Sequence, residues 1–285
     1  MSDPSERGAH VLSVKGLTKT FRMGRSRGFR ASRKPPTAVL AVDNVSFDLS
    51  RGEILGLAGE SGSGKSTTGR CLTRLVEPDA GEVIFDGIDI RTLDGRALRH
   101  VRRRIQMVFQ NPYASLNPRM SIGDAILEAG RVHHQLGSSS PDLFVRDRLD
   151  LVRLPDSIRS RRPRDLSGGQ RQRAAIARAL ATGPEIIVAD EAVSALDVSI
   201  QTEIVNLFLD LRDEIGLSIV FISHQLPVLA ACADRIAIMK SGAIVELQHT
   251  RDLFAAPGHP YTRGLLEAHP HPPVSARPTD PPTGR

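Results

Sequence analysis

Eight residues constrain this chain more than any others. Gly59-Glu-Ser-Gly-Ser-Gly64-Lys65-Ser66 fits the spacing G-x-x-x-x-G-K-[ST] at each fixed position. The apolar run Glu53-Ile-Leu-Gly-Leu-Ala58 precedes it, and residues 66–75 follow with helical spacing. Strand, glycine-rich turn and helix in that order make an anion cradle. Glycines let the backbone wrap a phosphate closely, and successive N–H groups converge at the helix N-terminus. Lys65 adds a point charge for the β- and γ-phosphates, and the Ser66 hydroxyl suits Mg²⁺. Gly59, Ser61, Gly62, Ser63, Gly64, Lys65, Ser66 and Thr67 are therefore candidate ATP-binding residues.

The remaining pattern gives such a loop an α/β frame. Residues 11–14 and 45–49 read as strands, separated by an Arg/Ser/Gly/Pro-rich loop over 24–36. Ile186-Ile-Val-Ala189 and Ser218-Ile-Val-Phe-Ile222 are fully apolar, the buried parallel type. Helical patterns over 170–180 and 200–215 adjoin them. Strands alternating with helices predict a parallel sheet. Residues 122–165 hold no strand-like run. Two helical patterns flank Gly137-Ser-Ser-Ser-Pro141 there, which predicts a mostly helical insert. From Pro270 onward, prolines and small polar residues predict a disordered tail.

A phosphate loop binding a metal-nucleotide needs a carboxylate at the end of a neighbouring strand. Asp190 follows the first apolar strand, and Glu191 is adjacent, placed to polarise a water.

Composition closes off other classes. Of 285 residues, 40% are hydrophobic and 25% charged, which excludes collagen-like and wholly disordered chains. There are 38 Lys+Arg against 32 Asp+Glu, a net +6. Only five are lysines, so arginine dominates. A GC-rich genome or a nucleic-acid surface would each produce that bias. Two cysteines, Cys71 and Cys232, cannot build a disulfide framework. No apolar run follows Met1, and the most apolar region, 218–233, is broken by His224, Gln225 and Pro227. The expectation is a cytosolic chain that meets a membrane only through a partner.

Leu166-Ser167-Gly168-Gly169-Gln170 stands between the loop and Asp190. With it the chain resembles the ATP-binding-cassette (ABC) ATPases, whose signature has this form. Gln110 is similar to that family's Q-loop residue, Ser194-Ala-Leu-Asp197 to its D-loop, and His224 to its switch histidine. The resemblance covers 11–268. It implies a P-loop NTPase cassette with a RecA-like core, an N-terminal antiparallel β subdomain and a helical insert at about 111–165, followed by the tail, 269–285. It also implies two cassettes facing head to tail, with each ATP between the loop of one and the signature of the other. Ser167, Gly168, Gly169 and Gln170 would then act in trans, opening a helix that begins near Gln170. Glu191 would be general base, His224 would contact the γ-phosphate, and Gln110 would reach metal and water, with Asp197 in the D-loop. Ser66, Gln110 and Asp190 would surround Mg²⁺. Phe21 resembles the adenine-stacking aromatic, Phe29 being the alternative and a plain core Phe another. Two residues depart from the family's pattern: Ala192 replaces a proline and Gln225 an aspartate.

Within the family, Asn111-Pro-Tyr-Ala-Ser-Leu-Asn-Pro-Arg119 resembles a run in peptide and nickel importers. Val193 to Gln201, His259-Pro-Tyr-Thr262 and the loop after Phe21 point to the same branch. The implied partners are a second cassette, two transmembrane permease subunits and an extracytoplasmic solute-binding protein. The chain would sit peripherally on the cytoplasmic face of the inner membrane. A permease helix would dock between the insert and the Q-loop. No cysteine follows Cys232, so no iron–sulfur cluster is expected. His269 and His271 in the proline tail carry no metal expectation. The rival readings are a non-transport ABC ATPase acting on nucleic acid or the ribosome, supported by Arg102–Arg104 and Arg159–Arg164, and a catalytically silent partner cassette.

Overall fold

A computed structural model describes residues 10–22, 38–111, 115–194 and 196–268. The loop over 24–36 with Phe29, and the tail with His269 and His271, lie outside them.

Two sheets build the described residues. β1 (His10–Arg22), β2 (Ala38–Ser50), β4 (Ala80–Phe85) and β5 (Ile88–Asp89) form an antiparallel sheet in the order β2-β1-β4-β5. β3 (Ile54–Ala58), β6 (Ile105–Val108), β7 (Ile186–Asp190), β8 (Ser218–Ile222) and β9 (Arg235–Lys240) are parallel, in the order β9-β3-β8-β7-β6. β10 (Ala243–His249) closes the β9 edge antiparallel. The central strands are apolar throughout because both faces are covered. Val188, Val220 and Ile222 face the antiparallel sheet's core, with Leu12, Val45 and Phe47. Ile187, Ile219 and Phe221 face the helices, where Phe221 meets Phe208 edge-on at 5.4 Å.

The helices are α1 (Lys65–Leu72), α2 (Gly95–Arg104), α3 (Ile122–Val132), α4 (Pro141–Leu151), α5 (Gly168–Leu180), α6 (Val198–Ile215), α7 (Leu226–Cys232), α8 (Thr250–Ala255) and α9 (Pro260–Glu267). α3 and α4 flank residues 133–140; Pro141, which the sequence pattern counts in the connecting segment, is the first residue of α4. Their starts are set by serine caps: Ser121 Oγ accepts from Asp124 N at 3.1 Å and Ser140 Oγ from Leu143 N at 3.2 Å. α1 ends earlier than its apolar spacing predicts. Arg74 turns left-handed (φ 50°) and its guanidinium donates to the Ile90 carbonyl at 2.8 Å. That leaves Leu75, which the periodicity counts as helical, 53% exposed. Cys71 and Cys232 are free and lie in different cores. Burial pushes their thiols up to about 11 and about 12.

An ion network joins the two sheets. Arg104 Nη2 donates to Asp86 Oδ2 at 2.8 Å and to Glu185 Oε2 at 3.0 Å, and its guanidinium lies 4.4 Å from the Phe85 ring centroid. Arg51 reaches the same two carboxylates at 3.0 and 3.1 Å. The hydrogen bonds from Arg104 hold both carboxyls below the ordinary range. Depressed values stabilise the fold above the unfolded carboxylate range, and this contribution is lost as pH falls through the folded values. Arg104→Met is expected to lower unfolding free energy by about 1–3 kcal/mol near neutral pH. Its deficit against the parent should shrink as pH drops below 4, as followed by denaturant unfolding.

Candidate functional site: a phosphate loop at the ends of the parallel strands

The loop 59–64 leaves the C-terminal end of β3 and feeds α1. Two of its glycines are forced by close approach. A Cβ on Gly59 (φ 143°) would stand 2.2 Å from the Met239 carbonyl oxygen. One on Gly64 (φ 106°) would stand 2.2 Å from the Ala41 carbonyl oxygen. These positive φ values are strained for any L side chain. Ser61 and Gly62 are exposed, while Ser63 is buried and donates its N–H to Glu60 O at 3.2 Å. Lys65 is 4% exposed, and its Nζ donates to the carbonyls of Gly59 and Glu60, both at 2.8 Å. Burial lowers its pKa, opposed by Glu191 and Asp190. Thr67 lies half-buried in the first turn of α1.

Asp190 closes β7 beside the loop. Ser66 Oγ donates to its Oδ1 at 2.6 Å. Asp190 is only 4% exposed, and burial pushes its carboxyl upward against the Ser66 bond and the charges of Arg70 and Lys65. A buried carboxylate paired with a hydroxyl is under-compensated in charge. A hard divalent cation with oxygen ligands fits this donor set.

Glu191 adopts a left-handed backbone (φ 49°), uncommon for a side-chain-bearing residue. Three bonds hold it there. Its N–H donates to Ile222 O at 3.0 Å, and its carbonyl accepts from Ser194 N at 3.1 Å and Ser194 Oγ at 3.0 Å. The turn aims the carboxylate from β7 toward the end of β8, where His224 Nδ1 lies 3.3 Å from Glu191 Oε1. Ala192 is buried behind it, and Gln225 precedes α7, its N–H donating to Ser223 Oγ at 3.0 Å. Gln110, past β6, donates Nε2 to Ser194 Oγ at 3.1 Å. Ser194 thus links Gln110 to Glu191, which itself meets His224, a bridging role the sequence reading missed.

Phe21 is 40% exposed near the end of β1, in register with Val39 of β2. Lys19 Nζ lies 5.6 Å from its ring centroid. β2 continues to Ala41, whose carbonyl faces Gly64, so this exposed aromatic is on the strand pair beside the loop.

The signature residues stand apart. Ser167 caps α5 in a reciprocal box: its Oγ accepts from Gln170 N at 3.2 Å, and Gln170 Oε1 from Ser167 N at 3.1 Å. The helix therefore starts at Gly168, two residues before the position its periodicity predicts. The N–H groups of Gly168 and Gly169 have no intrahelical acceptor at such a start. A Cβ on Gly169 would lie 2.7 Å from Ile200 of α6, and one on Gly168 3.3 Å from Leu196, just before Asp197, the N-cap of α6. Among the described residues, no hydrogen bond or ion pair joins 167–170 to 59–66.

A parallel sheet with this loop after one strand and an acidic pair after another defines a P-loop nucleotide-binding protein. A family model described as ABC transporter matches residues 42–194. A putative peptide import ATP-binding protein of Brucella ovis is 48% identical over 268 residues, 94% of this chain and 81% of that protein. The glutathione import ATP-binding protein GsiA of Escherichia coli is 50% identical over 263 residues, 92% of this chain but 42% of GsiA. Among solved structures, the dimeric ATP-binding cassette MJ0796, in a post-hydrolysis state bound to ADP and Pi, superposes with TM-score 0.72 at 31% identity, covering 84% of this chain and 99% of that one. The chain belongs to the ABC transporter family, as an ATP-binding cassette with ATPase activity.

Proposed function

We propose that the chain is the ATP-hydrolysing subunit that powers import of peptides, or of related small solutes such as nickel chelates, through a membrane transporter. The observation carrying this reading is the convergence of Lys65, the Ser66–Asp190 pair and the Glu191–His224 pair at the ends of β3, β7 and β8. Import of peptides is supported by the names of its relatives and by the run 111–119.

In the proposed mechanism, the loop N–H groups and Lys65 seat the β- and γ-phosphates of ATP, with the base against Phe21. Ser66 and Asp190, with Gln110 as the further candidate ligand, would hold Mg²⁺, which neutralises phosphate charge when bound. Glu191 takes the proton of the attacking water, and His224 fixes that carboxylate's direction and reaches toward the γ-phosphate. Gly168 and Gly169 offer their N–H groups to the nucleotide on a second cassette's loop, so one chain holds two half-sites. Catalysis is then positioning plus charge stabilisation.

Residues 11–268 form the proposed cassette, with about 111–165 as the helical insert. No described helix is long and apolar enough to cross a membrane, so two permease subunits would supply the path and an extracytoplasmic solute-binding protein the cargo. A groove of about 420 Å³ lined by Arg119, Met120, Leu127, Glu128, Arg131 and Val132 lies on α3 and the segment after Gln110. Its mixed charged and apolar lining would suit a permease helix at the cytoplasmic face of the inner membrane. The nucleic-acid reading loses part of its support, because Arg102 donates to the Thr73 carbonyl, Arg104 is committed to the sheet-joining network, and Arg159 pairs with Asp142.

Purification from membranes through a tag on this chain tests the proposal. The expected result is co-purified permease subunits and ATP turnover stimulated by short peptides with the binding protein. Salt-sensitive binding to duplex DNA with no membrane partner would favour the rival.

A further inference from the structure

The C-terminal elements reach back and grip the phosphate loop. Gly242, in the turn between β9 and β10, donates its N–H to Ser63 O at 2.9 Å. On α9, the Tyr261 hydroxyl accepts the N–H of Glu60 at 3.3 Å. That N–H belongs to the Gly59–Glu60 peptide, whose carbonyl accepts from Lys65 Nζ at 2.8 Å. One peptide plane is therefore held from both ends, by the cation that must reach the phosphates and by a tyrosine 201 positions along the chain.

Tyr261 is itself firmly seated. Lys240 Nζ lies 4.7 Å from its ring centroid. Its N–H donates to His259 Nδ1 at 3.1 Å. The segment before α9 is pinned by Glu246, whose carboxylate accepts from Gly258 N at 2.7 Å and His259 N at 3.1 Å.

We propose that Tyr261 is a positioning residue for nucleotide binding: its hydroxyl fixes the Gly59–Glu60 peptide, and through it the loop and Lys65, in the phosphate-receiving arrangement. The inference rests on the nucleotide-binding reading above. Without the hydroxyl, the Glu60 N–H turns to water and the Lys65 bond alone holds the peptide. The loop must then be ordered by the ligand, which weakens binding. Lys65 meets the phosphates before and during the reaction, so the loss is of uniform binding: KM for ATP rises while kcat holds.

The test uses the purified full chain and MgATP titration calorimetry on wild type, Tyr261→Phe and Lys65→Ala. Tyr261→Phe keeps the ring over which Lys240 sits and removes one oxygen. The expected result is an affinity lower by about three- to tenfold, with the unfolding midpoint of the nucleotide-free chain unchanged. In the assembled transporter KM should rise by the same factor at constant kcat. Wild-type affinity in Tyr261→Phe, or a loss that merely follows a lowered unfolding midpoint, overturns the inference while leaving the nucleotide reading intact. A wild-type chain that binds no nucleotide, or a Lys65→Ala chain that binds like wild type, overturns that reading and the inference with it.

Discussion

Lys65→Ala is expected to weaken ATP binding by at least about a hundredfold, the loss of a charged partner worth about 3 kcal/mol. The reason is geometric. Lys65 is already buried and desolvated, and its Nζ is parked on the Gly59 and Glu60 carbonyls rather than in water. Much of the cost of removing its charge from solvent has been met in folding, so meeting a phosphate from this seat returns most of the electrostatic gain. Alanine removes that charge and leaves the two carbonyls to be solvated. Equilibrium titration with a fluorescent ATP analogue would measure it. Circular dichroism would report a folded chain, since the hydrogen bonds of Lys65 Nζ stay within its own loop, at Gly59, Glu60 and Ser63.

Glu191→Gln should leave ATP binding near the parent value and cut turnover by about 10²–10⁴, the range for loss of a positioned general base. Glutamine preserves size and can still meet His224, so the Ser194 turn survives; what disappears is a lone pair able to take a proton. The separation of effects is the point. Lys65 is expected to govern binding and Glu191 chemistry, although both face the same loop. If Glu191→Gln turned over ATP as the parent does, the silent-cassette reading would gain, with hydrolysis assigned to another base.

The parts legible in the sequence share a property. The phosphate loop is contiguous, and its eight residues specify strand, turn and helix locally. β7 and β8 were legible because strands covered on both faces must be apolar throughout. Helix starts were less legible. The periodicity of α5 points to Gln170, but the Ser167 cap sets the start at Gly168, and capping outweighs the poor helix propensity of glycine. β6 follows α2 with no turn residue between Arg104 and Ile105, so nothing local marks the switch from helix to strand. The left-handed backbone of Glu191 carries no sequence mark either; it depends on Ile222 and Ser194 bonds. Most hidden is Tyr261. Its four-residue motif points to a branch of the family, but its contact with Glu60 exists only once β9, β10 and α9 have packed. The arginine excess also changes meaning: Arg104 is structural, joining two sheets through Asp86 and Glu185.

In the proposed mechanism this chain's own loop and acidic pair split ATP. Single-turnover phosphate release by the purified transporter, loaded with stoichiometric MgATP, tests it most directly. The expected result is phosphate from the parent complex and bound, unsplit ATP in the complex carrying Glu191→Gln. Phosphate released at the parent rate by the Glu191→Gln complex would contradict it.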